Sequence, residues 1–158
     1  MDETMAGNVD KRLAELGVSL PQAPAPAANY VPYTIAGNLL TISGQVTMGP
    51  DGLEYVAKLG DTADVAEGQA AARLCTINIL AQAKAALGDL DRIKQVVKIQ
   101  GFVNSTPDFM DHPAVINGAS DFLVDVLGDA GRHARAAVGM ASLPFGVAVE
   151  IDAVIEFA

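Results

Sequence analysis

The chain has 158 residues, enough for one domain with a sizeable core; 51% are hydrophobic but only 5% aromatic, so small apolar side chains must fill that core. A formal net charge of −9, with Lys and Arg scattered singly, makes phosphate backbones, and so nucleic acid, unfavourable partners. The lone cysteine, Cys75, excludes an internal disulfide, and two separated His with no carboxylate at ligand spacing predict no metal site.

Asn8 to Leu16 reads as a short helix stopped by Gly17. The Pro/Ala tract from Pro21 to Ala28 cannot pack as a helix and predicts an arm or linker, dividing residues 1–28 from a folded body at 29–158. Tyr33 to Ala36 and Leu39 to Val46 predict a hairpin about Gly37-Asn38. A second turn at Gly49-Pro50-Asp51-Gly52 leads to a possible short strand from Glu54 to Lys58. Asp64 and Glu67 have capping-box spacing, and the helix they open runs to Leu87 with Gly88 beyond its end. Leu74, Ile77 and Ala81 would form its apolar face, opposite Gln69, Arg73 and Thr76. Cys75 lies in this helix and reads as a small buried hydrophobe. Ile93 to Val103 predicts a Val/Ile-rich strand. Asp111-His112-Pro113 opens a second long helix with the stripe Val115, Ala119, Phe122, Leu123 and Val126, ended by Gly128. Arg135 to Leu143 and Val147 to Ala153 predict two closing strands joined through Pro144-Phe145-Gly146.

The order predicts an α+β fold, a mixed sheet with two helices packed on one face. Strand alternation sets Leu40, Ile42, Val97, Ile99, Val103, Val149 and Ile151 toward the helices. The opposite face takes Thr41, Ser43, Gln45, Lys98, Gln100, Phe102, Glu150, Asp152 and Val154. That mixture suits either a solvated face or a subunit interface carrying functional groups. No Arg/Lys-led apolar segment opens the chain and no stretch is long enough to span a bilayer, so a soluble, cytoplasmic protein is expected. A phosphate loop and a nucleophile elbow are both missing. The chemistry that remains is Arg135 and Glu150 on strands of one sheet: a guanidinium can grip a carboxylate in a fork, and a carboxylate can steer a water.

Gly37-Asn38-Leu39-Leu40-Thr41-Ile42-Ser43-Gly44-Gln45, the Gly88 helix end followed by Val96-Val97-Lys98, and Ala134-Arg135-Ala136-Ala137-Val138-Gly139 through Leu143-Pro144 to Val149-Glu150-Ile151 together resemble the RidA/YjgF family. These are the reactive-intermediate deaminases, also labelled L-PSP endoribonucleases, and the likeness runs from about Tyr30 to Val154. It implies a chorismate-mutase-like fold, a homotrimer with ligand clefts between subunits, and hydrolysis of 2-imino or 2-enamino acids to 2-keto acids without cofactor or metal. The family's carboxylate-binding Arg falls on Arg135 and its water-orienting Glu on Glu150. Its cleft Tyr falls on Tyr30 (with Tyr33 as the alternative), its cleft Ser on Ser43, and the Asn opening its second helix on Asn117. Phe102 joins the set from the open face. Ala137 stands where Cys or Thr is common and offers only its backbone N–H, and His133 stands where Pro is common. The N-terminal extension and a stretched Ser105–Pro113 connection mark a divergent branch. Two rivals stand beside the deaminase: a non-catalytic binder or sensor of small carboxylates using the same Arg135, and an endoribonuclease, which the acidity and lack of paired His oppose.

Overall fold

Gly37, at φ 62°, turns the chain with Asn38 as its neighbour in the hairpin. The computed structural model of the protein describes residues 7–23 and 28–158; the expectations for residues 1–6 and for 24–27 of the Pro/Ala tract lie outside the described residues. The hairpin strands are β1 (Tyr33–Ala36) and β2 (Leu39–Gln45), followed by a two-residue hairpin of β3 (Met48–Gly49) and β4 (Gly52–Leu53). Helix α1 spans Asn8–Glu15, α2 Val65–Leu87 and α3 His112–Leu127; β5 spans Ile93–Asn104, β6 Ala134–Met140 and β7 Val149–Phe157. The main sheet runs β1-β2-β7-β5-β6, with β5 and β6 parallel and all other neighbours antiparallel. Helix α3 carries the chain back to the edge beside β5, and a turn at Pro144–Gly146 returns it to the sheet's middle as β7.

Side chains from α2, α3 and one sheet face form the core: Leu40, Ile42, Val96, Ile99, Val103, Val149, Ile151 and Ile155 meet Ala71, Ala72, Cys75, Ile79, Val115, Ile116 and Phe122. Asp64 accepts from the Glu67 backbone N–H at 2.8 Å, capping α2, and Gly88 closes it at φ 80°. Cys75 is fully enclosed, its Sγ 3.4 Å from the Val149 carbonyl, and burial pushes its thiol pKa far up.

Three expectations change. Glu54 to Lys58 forms no strand: Tyr55 adopts φ 51°, which breaks extended pairing, and only a bridge from Val56 to Val147 remains. In β5 the pairing slips between Val96 and Lys98, so Val96, not Val97, enters the core. On α2 the core face is Ala71, Ala72, Cys75, Thr76 and Ile79, while Leu74 and Ile77 are half-buried. Thr76 lies inside because its hydroxyl returns to the Ala72 carbonyl at 2.8 Å. The short helix read at Asn8 to Leu16 is present as the first of three α-helices among the described residues. The first is tied to the body: Leu13 is buried, Lys84 pairs with Asp10 at 2.8 Å, and Arg12 Nε donates to the Asp125 carbonyl at 2.7 Å.

Candidate functional site

Strand β6 lies at the sheet edge, and its register with β5 sets Arg135 beside Ile99 and Ala137 beside Gly101. Because Ile99 is core, Arg135 and Ala137 face the helix-covered side. There Arg135 Nη1 donates to Ser120 Oγ at 3.1 Å and Nη2 to the Pro113 carbonyl at 3.3 Å, both on α3. Ser120 Oγ is 2.8 Å from His133 Nε2, and His133 Nδ1 is 2.6 Å from the Gly131 carbonyl. A carbonyl can only accept, so Nδ1 carries the hydrogen in the neutral imidazole and Nε2 is bare. Ser120 therefore donates to His133 and accepts from Arg135, and the guanidinium is oriented by a directed chain of hydrogen bonds. Arg135 makes no ion pair among the described residues. Of the guanidinium's five N–H groups, the structure commits two, one on each terminal nitrogen, leaving three uncommitted.

The guanidinium borders a cleft of about 290 Å³ whose wall on α3 is Asn117, Ser120, Asp121 and Val124. Asn117 is exposed and sits in the second turn of α3, not at its start, because the stretched connection lets the helix begin at His112. It therefore faces the cleft without capping the helix. Ser120 and His133 were not assigned roles from the sequence. The available signal was the polar 3–4 spacing of Asn117, Ser120 and Asp121, opposite the apolar stripe of α3.

Glu150 belongs to the other face. It pairs with Phe102, and Asp152 pairs with Gln100, while Ile151 between them is buried. Strand β2 carries an extra residue here, since Ile42 faces Ala153 but Gln45 faces Ile151. Gly44 lies in that bulge, and the Glu150 carboxyl lies over it: a Cβ on Gly44 would stand 2.8 Å from Oε1 and 3.0 Å from Cδ. Burial first, and then the neighbouring Asp152 charge, push the Glu150 pKa up. Burial also raises Asp152, opposed by the Gln100 backbone and by Lys98. With its amide nitrogen turned inward, the Gln100 side chain donates to Asp152 Oδ2 at 3.0 Å.

Ser43 donates its hydroxyl to the Val31 carbonyl at 2.8 Å, leaving its oxygen as an acceptor. It borders two clefts. One, of about 290 Å³, includes Tyr33, Gly44, Gln100 and Asp152; the other, of about 380 Å³, includes Tyr30, Gln45, Asn78 and Gln82. Gln82 was not singled out from the sequence because it reads as helix interior, yet its buried Oε1 has no hydrogen-bond partner among the described residues.

The seven sequence-assigned residues thus fall into two half-sites. Arg135, Asn117 and Ala137 lie on the helix side at the β6 edge; Glu150, Phe102, Ser43 and Tyr30 belong to the open side and its margin. Arg135 and Glu150 share a sheet, as expected, but β5 separates their strands and they occupy opposite faces. Within one chain, no small ligand can touch both.

Residues 10–153 match the family described as "YjgF/chorismate mutase-like, putative endoribonuclease". Protein TCP17 of Trypanosoma cruzi is 50% identical over 157 residues, covering 99% of this chain and 98% of that protein. A crystal structure of a protein of unknown function from Agrobacterium tumefaciens is 55% identical, with TM-score 0.90, over 96% of this chain and 93% of its own. The E. coli protein TdcF, crystallised with bound serine, is 27% identical, with TM-score 0.63, over 87% of this chain and 94% of its own.

Proposed function

The chain belongs to the YjgF/chorismate mutase-like family, and from that premise we propose that it hydrolyses 2-imino and 2-enamino acids to 2-keto acids and ammonia. The observation that carries this reading is Arg135: a guanidinium oriented by Ser120 and a backbone carbonyl, without a carboxylate partner among the described residues, beside an open cleft. A small 2-imino acid supplies the missing carboxylate, and the uncommitted N–H groups can hold it bidentately. The bound serine of TdcF, itself a small amino acid, is consistent with that ligand class.

Glu150 is the group for the water. Its raised pKa makes it a better proton acceptor than an ordinary carboxylate. Water oxygen would add to C2 of the C=N bond while Glu150 takes one water proton and passes it to the nitrogen, which gives the carbinolamine and restores the carboxylate. Glu150 would then take the hydroxyl proton and deliver it to the amine, which leaves as ammonia as the C2 carbonyl forms. An enamine first takes a proton at C3 and releases one from nitrogen to become the imine. The reaction is intrinsically easy, so positioning supplies most of the acceleration.

Because Arg135 and Glu150 lie on opposite faces, the complete cleft takes each from a different copy of the chain. A homotrimer packed through its sheets would provide three such clefts, and exposed Val138 with half-buried Phe102 and Val154 gives an interface apolar contacts. The test is a coupled assay in which an amino-acid dehydratase or oxidase generates imines and keto-acid release is followed. Acceleration over the uncatalysed rate is expected. Binding of pyruvate without any acceleration would replace this reading with that of a carboxylate binder.

A further inference from the structure

A fourth cavity lies on the helix side at the far end of β6, and its lining includes no residue of either half-site. It measures about 560 Å³, and its wall includes Lys58, Ser105, Phe109, His112, Gly139 and Met140. Lys58 Nζ donates to Asn104 Oδ1 at 2.7 Å, to the Ala141 carbonyl at 2.8 Å and, at 3.5 Å, to the Ser105 carbonyl. All three acceptors are neutral, and Lys58 makes no ion pair among the described residues. A half-buried ammonium solvated only by dipoles favours an anion beside it. Ser105 Oγ and His112 Nε2 are 3.2 Å apart on the same wall. Phe109 stands edge-on to the imidazole, with centroids 5.4 Å apart and planes at 80°. The cavity is kept open by Gly139, where a Cβ would collide with His112 Nε2 and stand 2.7 Å from Ser105 Oγ. Helix α3 starts here without a side-chain cap from Asp111, so its first-turn dipole adds to the positive end. Thr106, whose buried hydroxyl has no hydrogen-bond partner among the described residues, also lines the cavity; the rest of the wall is apolar, with Met110 74% exposed.

We propose that this cavity binds a monocarboxylate with an apolar tail. The carboxylate lies against Lys58 and the Ser105–His112 pair, and the tail lies over Phe109, Met110 and Met140. One uncompensated cation matches one negative charge, and the apolar wall gives the tail a surface that inorganic phosphate cannot use. The site is independent of imine hydrolysis, since it shares no residue with either half-site.

Hexanoate, acetate and inorganic phosphate, each titrated into the full-length chain, test this, with affinity read by calorimetry and position by the His112 ring-proton NMR signals. Hexanoate is expected to move those signals and to bind roughly tenfold or more tighter than acetate, because several methylenes leave water. The same shifts should appear in the Arg135→Lys chain, which removes the other anion grip. Met110→Glu, at an exposed position that does not test folding, should weaken hexanoate about tenfold by placing like charge at the mouth. Lys58→Met should abolish binding in folded protein. Acetate or phosphate binding as tightly as hexanoate, or hexanoate binding that Arg135→Lys abolishes and Met110→Glu leaves intact, would overturn the proposal.

Discussion

Two inactive chains should make one active protein. Arg135→Lys keeps charge but loses the fork, and a lost charged contact costs about 2–5 kcal/mol, roughly thirty-fold to several thousand-fold in rate or affinity. Glu150→Gln keeps shape but removes the proton acceptor. Each variant alone should therefore be nearly silent. If a cleft takes Arg135 from one copy and Glu150 from its neighbour, equal amounts of the two variants assembled at random leave about a quarter of the clefts with both native groups. The fraction is the same for any ring in which each cleft pairs adjacent copies. In a trimer, about three quarters of the assemblies are mixed, and each mixed assembly holds one native cleft of three. The two chains, carrying different tags, are unfolded together, refolded and assayed for keto-acid release from enzymatically generated imines. Activity should rise to about a quarter of wild type, far above either variant alone. If double-tag purification recovers mixed assemblies whose activity is only the average of the two variants, Arg135 and Glu150 do not meet between copies, and the mechanism fails.

Four further outcomes follow from the same geometry. Glu150→Gln should lower turnover more than affinity for pyruvate. Its stability effect should also depend on pH: burial raises the folded pKa, so the wild-type contribution is full below the unfolded carboxyl pKa and is lost as pH rises through the folded value. The variant should gain in urea midpoint relative to wild type on going from about pH 4 to neutral; a pH-independent difference counts against the raised pKa. Gly44→Ala puts a Cβ 2.8 Å from Glu150 Oε1, and displacement of the carboxyl should reduce turnover on the order of a hundredfold in a folded protein; wild-type turnover would show that the carboxyl position is unimportant. Light scattering should return a trimer mass at micromolar concentration, and a monomer mass would remove the two-copy cleft.

Much of the scaffold was legible because local chemistry and global packing agree. Gly37-Asn38, Gly88 and Gly128 each stand at a chain reversal or helix end, and the alternation of β7 runs unbroken from Val149 to Ile155. Legibility failed where the backbone departs from strict period. The slip between Val96 and Lys98 moves Val97 out of phase, and Tyr55 stops a strand that composition allows. Helix α2 misled for another reason: it is enclosed by the sheet and by α3, and Asn78 also binds the Val46 and Met48 carbonyls, so no single polar face marks its orientation. At the site, Arg135 and Glu150 stand out by type, but their placement on opposite faces depends on strand order, which periodicity does not encode. Ser120 bonds both His133 and Arg135, and only the fold brings the three together.

The sealed Cys75 gives the protein a built-in reporter of its own opening. It is the only thiol in the sequence, and its Sγ lies between α2 and β7 with no exposed surface. A thiol reagent can reach it only when the helix lifts from the central strand, which bears Glu150 one residue beyond Val149. Labelling kinetics under native conditions therefore time the separation of α2 from β7 without any introduced probe. A ligand that binds only the closed, assembled form must slow that labelling in proportion to its saturation, so occupancy can be followed by mass spectrometry even for a ligand that is never turned over.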